Sequence, residues 1–347
     1  MKKYTLFLCA LCLLLTGCAK TESATVYAMN TVMDFSVTAE HAGDVIAAMT
    51  SAVNDLERRL SRTLEGSEVS ALNTAGGEEV EVSLPVWSLL ETARSLTEAT
   101  GGAFDVTIAP VASAWGFTES AFRVPSQEEL DTLLPLVAAG SISLGQNRET
   151  YLAALQPGQN LDLGGIAKGY ASDCLGDIFL NSGAERGYVS LGGNVLVWGA
   201  KEDGSPWRIG VKDPQNTAAF CAVLELENAY AVTSGGYERC FEEGGVTYHH
   251  LLDPSTGYPA QSGLLSVTVV MDWEGQALEG ATGNGTVCDA LSTALFVMGE
   301  EKALEFWRSG LYDFDMVLVT EDGRLLSTPG LTALPTQESG YTYETVR

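Results

Sequence analysis

Basic residues are scarce: 19 Lys and Arg stand against 45 Asp and Glu in 347 residues, a formal net charge of −26. A surface with that balance repels a phosphate backbone, which argues against nucleic acid as a partner. Of seven cysteines, Cys9 and Cys12 form a Cys-x-x-Cys pair inside the N-terminal apolar run, while Cys174, Cys221, Cys240 and Cys288 are scattered and form none, so a thiolate zinc site is not indicated. No apolar run reaches the ~20 residues that span a bilayer. There is no repeat of 20 to 50 residues and no low-complexity tract. What is there is 46% hydrophobic and 18% charged residues, the composition of a folded globular chain. The length allows two domains or one large domain with two lobes.

The first seventeen residues read as an export signal. Lys2 and Lys3 form a basic start and Leu6 to Leu15 is an apolar run of ten residues, too short to span but suited to the core of a signal peptide. It ends in Leu15-Thr16-Gly17-Cys18, which resembles the lipobox of a bacterial lipoprotein signal. The expectation is cleavage before Cys18, lipidation of its thiol, and a location outside the cytoplasm, anchored at the outer face of the cytoplasmic membrane or in the periplasm. Residues 1–17 are then signal, 18–25 a lipidated cysteine and polar tether, and 26–347 the folded body. The mature chain keeps Cys174, Cys221, Cys240 and Cys288, read as core residues whose pairing the sequence does not specify. Its charge becomes 17 − 45 = −28, because Lys2 and Lys3 leave with the signal.

Val26 to Thr38 is strand-like, and Val45, Ile46, Met49, Val53, Leu56 and Leu60 recur at helical spacing. A second helix is predicted from Pro85, burying Val86, Leu89, Leu90, Ala93 and Leu96 and stopping at Gly101-Gly102. A third follows Gly169. From Gly187 onward short β-like runs alternate with glycines: Tyr188 to Leu191, Val195 to Trp198, Trp207 to Val211, Ala222 to Leu226, Tyr230 to Thr233 and Leu264 to Val270. Asp289 to Met298 reads as a helix and Met316 to Val319 as a strand. Helices and strands mix without a strict strand-helix-strand rhythm, which favours an α+β fold. The stretch Met271 to Cys288 is the most loop-like of any length.

Five short strings gather small residues, acids and histidine. In Asp162-Leu163-Gly164-Gly165-Ile166-Ala167-Lys168-Gly169-Tyr170, glycines before a helix would let a phosphate approach backbone N–H groups, with Lys168 adding charge. The string fits neither the dinucleotide fingerprint nor a Walker loop, and standing alone it favours a tight packing turn. Ser190-Leu191-Gly192-Gly193-Asn194 and Thr233-Ser234-Gly235-Gly236-Tyr237-Glu238-Arg239 each place a glycine pair after a strand, permitting positive φ or close ligand approach; simple turns would look the same. In His249-His250-Leu251-Leu252-Asp253-Pro254-Ser255-Thr256-Gly257, a histidine before an Asp-Pro turn can donate to phosphate or take a proton. In Asp289-Ala290-Leu291-Ser292-Thr293, a carboxylate and a hydroxyl four residues apart share a helix face and can meet one hard cation. An N-cap with a buried Thr is the plain alternative.

In this order and spacing the strings resemble the FAD:protein FMN transferase family, the ApbE-like flavin transferases, from about Met29 to near the C-terminus. Ser67-Glu68-Val69-Ser70-Ala71-Leu72-Asn73 and Gly101-Gly102-Ala103-Phe104-Asp105, leading to Pro110 and Trp115-Gly116-Phe117, are also similar. The resemblance implies one large two-lobed domain with mixed or antiparallel sheets flanked by helices. It implies an exported enzyme that binds FAD with Mg²⁺, transfers FMN to a Thr or Ser hydroxyl of a membrane or exported flavoprotein, and releases AMP. Met29, Ala103, Phe104, Asp105, Asp162, Gly165, Lys168, Gly193, Ser234, His250 and Leu251 would line the FAD site. Asp289, the Thr293 hydroxyl and the Ala167 carbonyl would hold the metal, and Asp289 and His250 would be catalytic. His250 would act as proton acceptor or charge stabiliser, with Asp253 or metal-bound water as alternatives for the proton.

Two departures stand out. Around Ser61-Arg62-Thr63 many relatives carry an aromatic residue that would stack on a flavin or adenine ring, and this chain has none. The segment from Met271 to Cys288 is longer than usual, and is expected to be a surface loop near the site that affects acceptor docking. Two other functions use the same residues: an FAD pyrophosphatase giving FMN and AMP, and a flavin-binding lipoprotein without catalysis.

Overall fold

The computed structural model describes residues 19–118, 121–148, 150–273, 282–336 and 340–346. The signal segment and Cys18 lie outside them. Among the described residues, no helix is long and apolar enough to cross a membrane.

The frame is a nine-stranded sheet whose spatial order follows chain order. Its strands are β1 (Lys20–Ala28), β2 (Thr31–Ala39), β3 (Arg186–Leu191), β4 (Asn194–Trp198), β5 (Ala229–Gly235), β6 (Leu264–Asp272), β7 (Asp315–Thr320), β8 (Arg324–Ser327) and β9 (Thr342–Thr345). All neighbours are antiparallel except the last pair, β8 and β9. The helices are α1 (Ala42–Leu60), α2 (Glu68–Thr74), α3 (Leu84–Ala99), α4 (Ala109–Trp115), α5 (Gln127–Leu133), α6 (Ala167–Ser182) and α7 (Asn284–Arg308).

Both faces of the central strands are covered, which explains why they read as apolar runs and not as clean alternations. In β7, Met316 and Leu318 join the core under the helices. Val317 and Val319 join a second core against a three-stranded sheet of Trp207–Asp213, Asn216–Leu226 and Ala333–Pro335. The same division holds in β5, with Tyr230 and Val232 on the helix side and Ala229 and Ala231 on the other. The α+β reading from sequence holds.

Several boundaries move. The polar segment expected to be a tether, Ala19 to Thr25, is mostly strand: β1 pairs with β2 from Lys20↔Ala39 to Ala28↔Thr31. Its polar residues reflect an edge strand with a solvent-facing side, and edge strands are kept polar to discourage pairing with other chains. The α7 helix begins at Asn284 and not at Asp289, and it kinks at Gly299 (φ +78°). The loop expected between Met271 and Cys288 is therefore shorter at both ends, since β6 includes Met271 and Asp272 and α7 includes Asn284 to Cys288. Residues 274–281 lie outside the described set. Trp273 packs on Gly176 in the middle of α6 and stacks edge-on against Trp198 at 4.7 Å. In register, Asp272 sits opposite Ala229, whereas Gly235 sits opposite Ser266 at the other end of the ladder.

Cys174, Cys221, Cys240 and Cys288 are all free thiols; Cys221 and Cys288 are buried, Cys174 is half-buried, and Cys240 is exposed. The core reading thus fails for Cys240, which occupies a short peripheral hairpin strand, Cys240–Glu243.

Candidate active site

Two hairpin tips and two helix N-termini build the site. The β1–β2 hairpin turns through Met29 (φ +49°) and Asn30 (φ +61°), both positive as a two-residue type I′ loop requires. A methionine in that region costs about 1–2 kcal/mol, and the Met29 N–H is held by Glu57 Oε1 of α1 at 3.1 Å. The β3–β4 hairpin turns through Gly192 (φ +61°) and Gly193 (φ +102°). A Cβ on Gly192 would lie 2.0 Å from Thr31 Oγ1, so the two tips touch and only glycine permits it.

The N-terminal parts of α6 and α7 meet side by side through glycine. A Cβ on Gly169 would come within 2.2 Å of the Gly285 carbonyl oxygen and 2.7 Å of Asp289 Cβ. Across this contact the Gly169 N–H donates to Asp289 Oδ2 at 2.8 Å. Asp289 Oδ1 is left 3.9 Å from Lys168 Nζ. Thr293 Oγ1 lies 3.2 Å from Ser234 Oγ, which also bonds Ser292 Oγ at 2.8 Å. Asp289 is therefore not an N-cap. It sits in the second turn of α7, 3% exposed.

The cap of α7 comes instead from α6. Asp173 Oδ2 accepts from the N–H of Gly283 at 2.8 Å, the N–H of Thr286 at 2.9 Å and the Thr286 hydroxyl at 2.5 Å. Its Oδ1 accepts from the Gly285 N–H at 2.8 Å. Burial pushes the Asp173 carboxyl up, while these donors pull it the other way. Nothing in the local sequence of α7 signals this cap, because its acceptor lies more than a hundred residues away.

One cleft of about 1210 Å³ collects the residues singled out from sequence. Met29 comes from the first hairpin, Ala103, Phe104 and Asp105 from the loop after α3, and Asp162 and Gly165 from the turn before α6. Ala167 and Lys168 begin α6, Gly193 and Ser234 stand at the β3–β4 turn and the β5 end, His250 and Leu251 follow a peripheral strand, and Asp289 and Thr293 come from α7. All face the same space.

Two acids have side chains already engaged. Asp105 accepts from the N–H (2.7 Å) and hydroxyl (2.5 Å) of Thr107 and from the Ala139 N–H (2.9 Å). Asp162 accepts from Arg62 Nη1 at 2.8 Å and from the Gly164 N–H at 2.8 Å. They shape the wall more than they offer free charge. Arg62, which also donates to Ser113 at 2.6 Å, was missed in the sequence as a cleft residue. So were Tyr27, Glu57 and Lys212, which line the same space; short strings do not reveal them because they converge from separate elements. Burial pushes the Glu238 carboxyl up, opposed by Lys168, Lys212 and Arg239.

His250 Nδ1 stands 3.2 Å from the Arg239 carbonyl oxygen. A carbonyl only accepts, so this partner assigns the proton to Nδ1 and leaves the Nε2 lone pair available. Burial, then the charges of Arg239, His249 and Lys168, push the imidazole down to about 3, against the Arg239 carbonyl contact that favours its charged form. His250 is thus neutral throughout ordinary working pH. A proton titration followed by NMR should leave the His250 ring resonances unmoved from pH 8 to 5, and an inflection near 6.5 would contradict the assignment. The linkage sign follows: the unfolded chain takes up a proton below its ordinary value of about 6.5 and the folded chain does not. This contribution therefore erodes stability as pH falls from there toward 3.

A satellite cluster fixes the His250 segment. Trp115 Nε1 donates to the Gly257 carbonyl at 2.7 Å, and Trp115 packs with Tyr248 at 5.2 Å and Tyr258 at 5.5 Å. Leu252 is buried in the same cluster. The Trp115 string and the His250 string, read separately in the sequence, are one structural unit.

Among the described residues, no group of three or more His, Cys, Asp or Glu is placed to hold a metal. A transition-metal centre of that kind does not fit this site. The Asp289 carboxylate and the Thr293 hydroxyl, both lining the cleft, are oxygen donors of the kind taken by a hard cation that keeps waters and draws its remaining ligands from a phosphate.

The model of the ApbE family matches residues 29–318. An FAD:protein FMN transferase of Haemophilus influenzae is 32% identical over 308 residues, covering 86% of this chain and 85% of that protein. One from Klebsiella pneumoniae is 34% identical over 278 residues, covering 79% and 82%. Among solved structures, the ApbE protein of Thermotoga maritima superposes with a TM-score of 0.79 at 34% identity, covering 88% of this chain and 96% of that one. The apo flavinyl transferase ApbE of Pseudomonas stutzeri gives 0.75 at 27% identity, covering 92% and 95%.

Proposed function

The chain belongs to the ApbE family, and on that premise we propose that it is an FAD:protein FMN transferase, moving FMN from FAD to a Thr or Ser hydroxyl of an acceptor protein and releasing AMP. The observation that carries this reading is the convergence of five sequence strings on a single cleft large enough for a dinucleotide. The acidic surface is no obstacle, since the substrate enters a local cleft with basic residues, among them Lys168, Lys212 and Arg239, on its wall.

Asp289 Oδ1, the Thr293 hydroxyl and the Ala167 carbonyl would hold a Mg²⁺ ion. Bound there, the ion would neutralise charge developing on the pyrophosphate. The chain's own groups do the rest. Lys168 adds positive charge beside Asp289, while the Ala167 and Gly169 N–H groups at the start of α6 are held by the Leu163 carbonyl and by Asp289. The incoming hydroxyl oxygen bonds to the phosphorus of the FMN half, the bond from that phosphorus to the AMP oxygen breaks, and the hydroxyl proton passes to His250 Nε2. Because His250 is neutral with its Nδ1 proton anchored, it suits proton acceptance better than charge stabilisation in the free enzyme. An arriving anion would raise its basicity.

The test is to incubate the chain from Lys20 with FAD, Mg²⁺ and a protein carrying a flavinylatable Thr, then to measure intact mass and AMP. Gain of the FMN mass on the acceptor, with AMP in equal amount, is the expected result. AMP and FMN released with no acceptor gain, across several acceptors, would replace the transferase reading with the hydrolase. Bound but unchanged FAD would leave only a carrier.

The same reading places the protein outside the cytoplasm, held by a lipid on Cys18. Because β1 starts at Lys20, a single residue would separate that anchor from the folded body. Metabolic labelling with a palmitate analogue should mark the full-length protein and fail with Cys18→Ser.

A further inference from the structure

The cleft needs a surface for the flat rings of a dinucleotide, and among the described residues lining it the aromatic side chains besides the His250 imidazole are Tyr27, Phe104 and Tyr237. Phe104 is only 4% exposed, and its Cε2 lies 3.2 Å from where a Cβ on Gly165 would be. Its ring is spent on packing against that turn. Tyr237 lies across Gly235, its Cε1 2.4 Å from where a Cβ would be, and burial pushes its hydroxyl up. Phe104 thus has no open ring face, and Tyr237 is half-buried with one side against Gly235.

Tyr27 differs. It is 68% exposed and pairs across the hairpin with Val32, itself 55% exposed, so two large apolar side chains stand uncovered side by side at the wall of a polar cleft. Exposed apolar pairs at a concave site mark ligand contact more often than chance exposure. The ring is also held in place: its hydroxyl donates to Asn30 Oδ1 at 3.0 Å, and the turn beside it is anchored by the Met29 N–H to Glu57 bond. Ser61, Arg62 and Thr63 line the same cleft without an aromatic, and Arg62 is committed to Asp162 and Ser113.

We propose that Tyr27, backed by Val32, is the ring-stacking residue for the bound dinucleotide. This rests on the reading of the cleft as an FAD site. The shared chemistry is a planar aromatic ring, supplied by the isoalloxazine or by adenine.

The experiment measures equilibrium binding of FAD, FMN and AMP to the parent protein and to Tyr27→Ala and Tyr27→Phe, with flavin fluorescence of the bound state. Parent binding of FAD tests the cleft reading; the variants test this inference. Stacking predicts that Tyr27→Ala weakens FAD by about three- to ten-fold, that Tyr27→Phe stays within about two-fold, and that thermal stability is unchanged because the ring is exposed. If the ring covers the flavin, FMN weakens in parallel, AMP does not, and bound-flavin fluorescence rises in Tyr27→Ala. If it covers adenine, AMP weakens and FMN does not. Equal affinity of all three ligands for parent and Tyr27→Ala overturns the proposal, and so does equal weakening in Tyr27→Ala and Tyr27→Phe, which would assign the effect to the hydroxyl. Unchanged ligand affinity with a raised KM for the acceptor protein also overturns it, by giving the exposed pair to acceptor docking.

Discussion

Asp289→Asn is expected to lower Mg²⁺-dependent flavin transfer on the order of a thousand-fold while leaving the melting temperature near that of the parent. The amide oxygen can still accept from the Gly169 N–H, which donates to Asp289 Oδ2 at 2.8 Å, while the charge that would hold the cation is gone. Asp289→Ala is the poorer probe. At a solvent-facing helix start it would spare the fold, but Asp289 is buried between α6 and α7. Alanine would leave a buried N–H without an acceptor, costing about 1–3 kcal/mol. AMP release with and without chelator, alongside calorimetry, checks both statements. An Asn variant within about ten-fold of the parent, or parent activity indifferent to chelator, would remove Asp289 from the metal site.

The largest stability effect is expected from Asp173→Ala, on the order of 4 kcal/mol. Three backbone N–H groups and one hydroxyl lose their common acceptor at once. For a chain of this size that corresponds to a melting temperature lower by about 5–6 °C. Asparagine is no remedy, because its NH₂ would face N–H donors. Chemical denaturation of the parent and the variant decides the matter, and a loss below about 1 kcal/mol would mean that water or a shifted helix replaces the cap. Because Asp173 ties α6 to α7, and Ala167 and Asp289 sit on those two helices, the variant should also weaken Mg²⁺ binding.

The acceptor-docking role was expected of the stretch Met271 to Cys288, of which residues 274–281 lie outside the described residues. Trp273 roots its beginning at the end of the β5–β6 ladder opposite Gly235, whereas Gly193 and Ser234 line the cleft at the near end.

The long periodic elements were legible because local pattern alone fixes them. Val45 to Leu60 and Val86 to Leu96 mark α1 and α3 by spacing, and the apolar runs from Tyr188 to Val270 mark the central strands. The short hairpin of Cys240–Glu243 with Val246–His249 went unread, since four-residue strands carry little signal. The segment from Lys20 to Thr25 was misread because an edge strand exposes polar residues just as a linker does, and only its pairing with β2 distinguishes them.

What the sequence determined by itself is the set of chemical groups at the site: glycines where backbones must approach, a lysine before Gly169, a histidine before Asp253, and a carboxylate and hydroxyl one helical turn apart. Each is a local constraint written in consecutive residues. Tertiary structure alone decided what those groups can do. It placed Asp289 against the Gly169 N–H, assigned the His250 proton to Nδ1 through Arg239, engaged Asp105 and Asp162 in the wall, and brought Tyr27 to the cleft. Contacts between residues tens to more than a hundred positions apart depend on how helices and hairpins pack, and no local string encodes that packing.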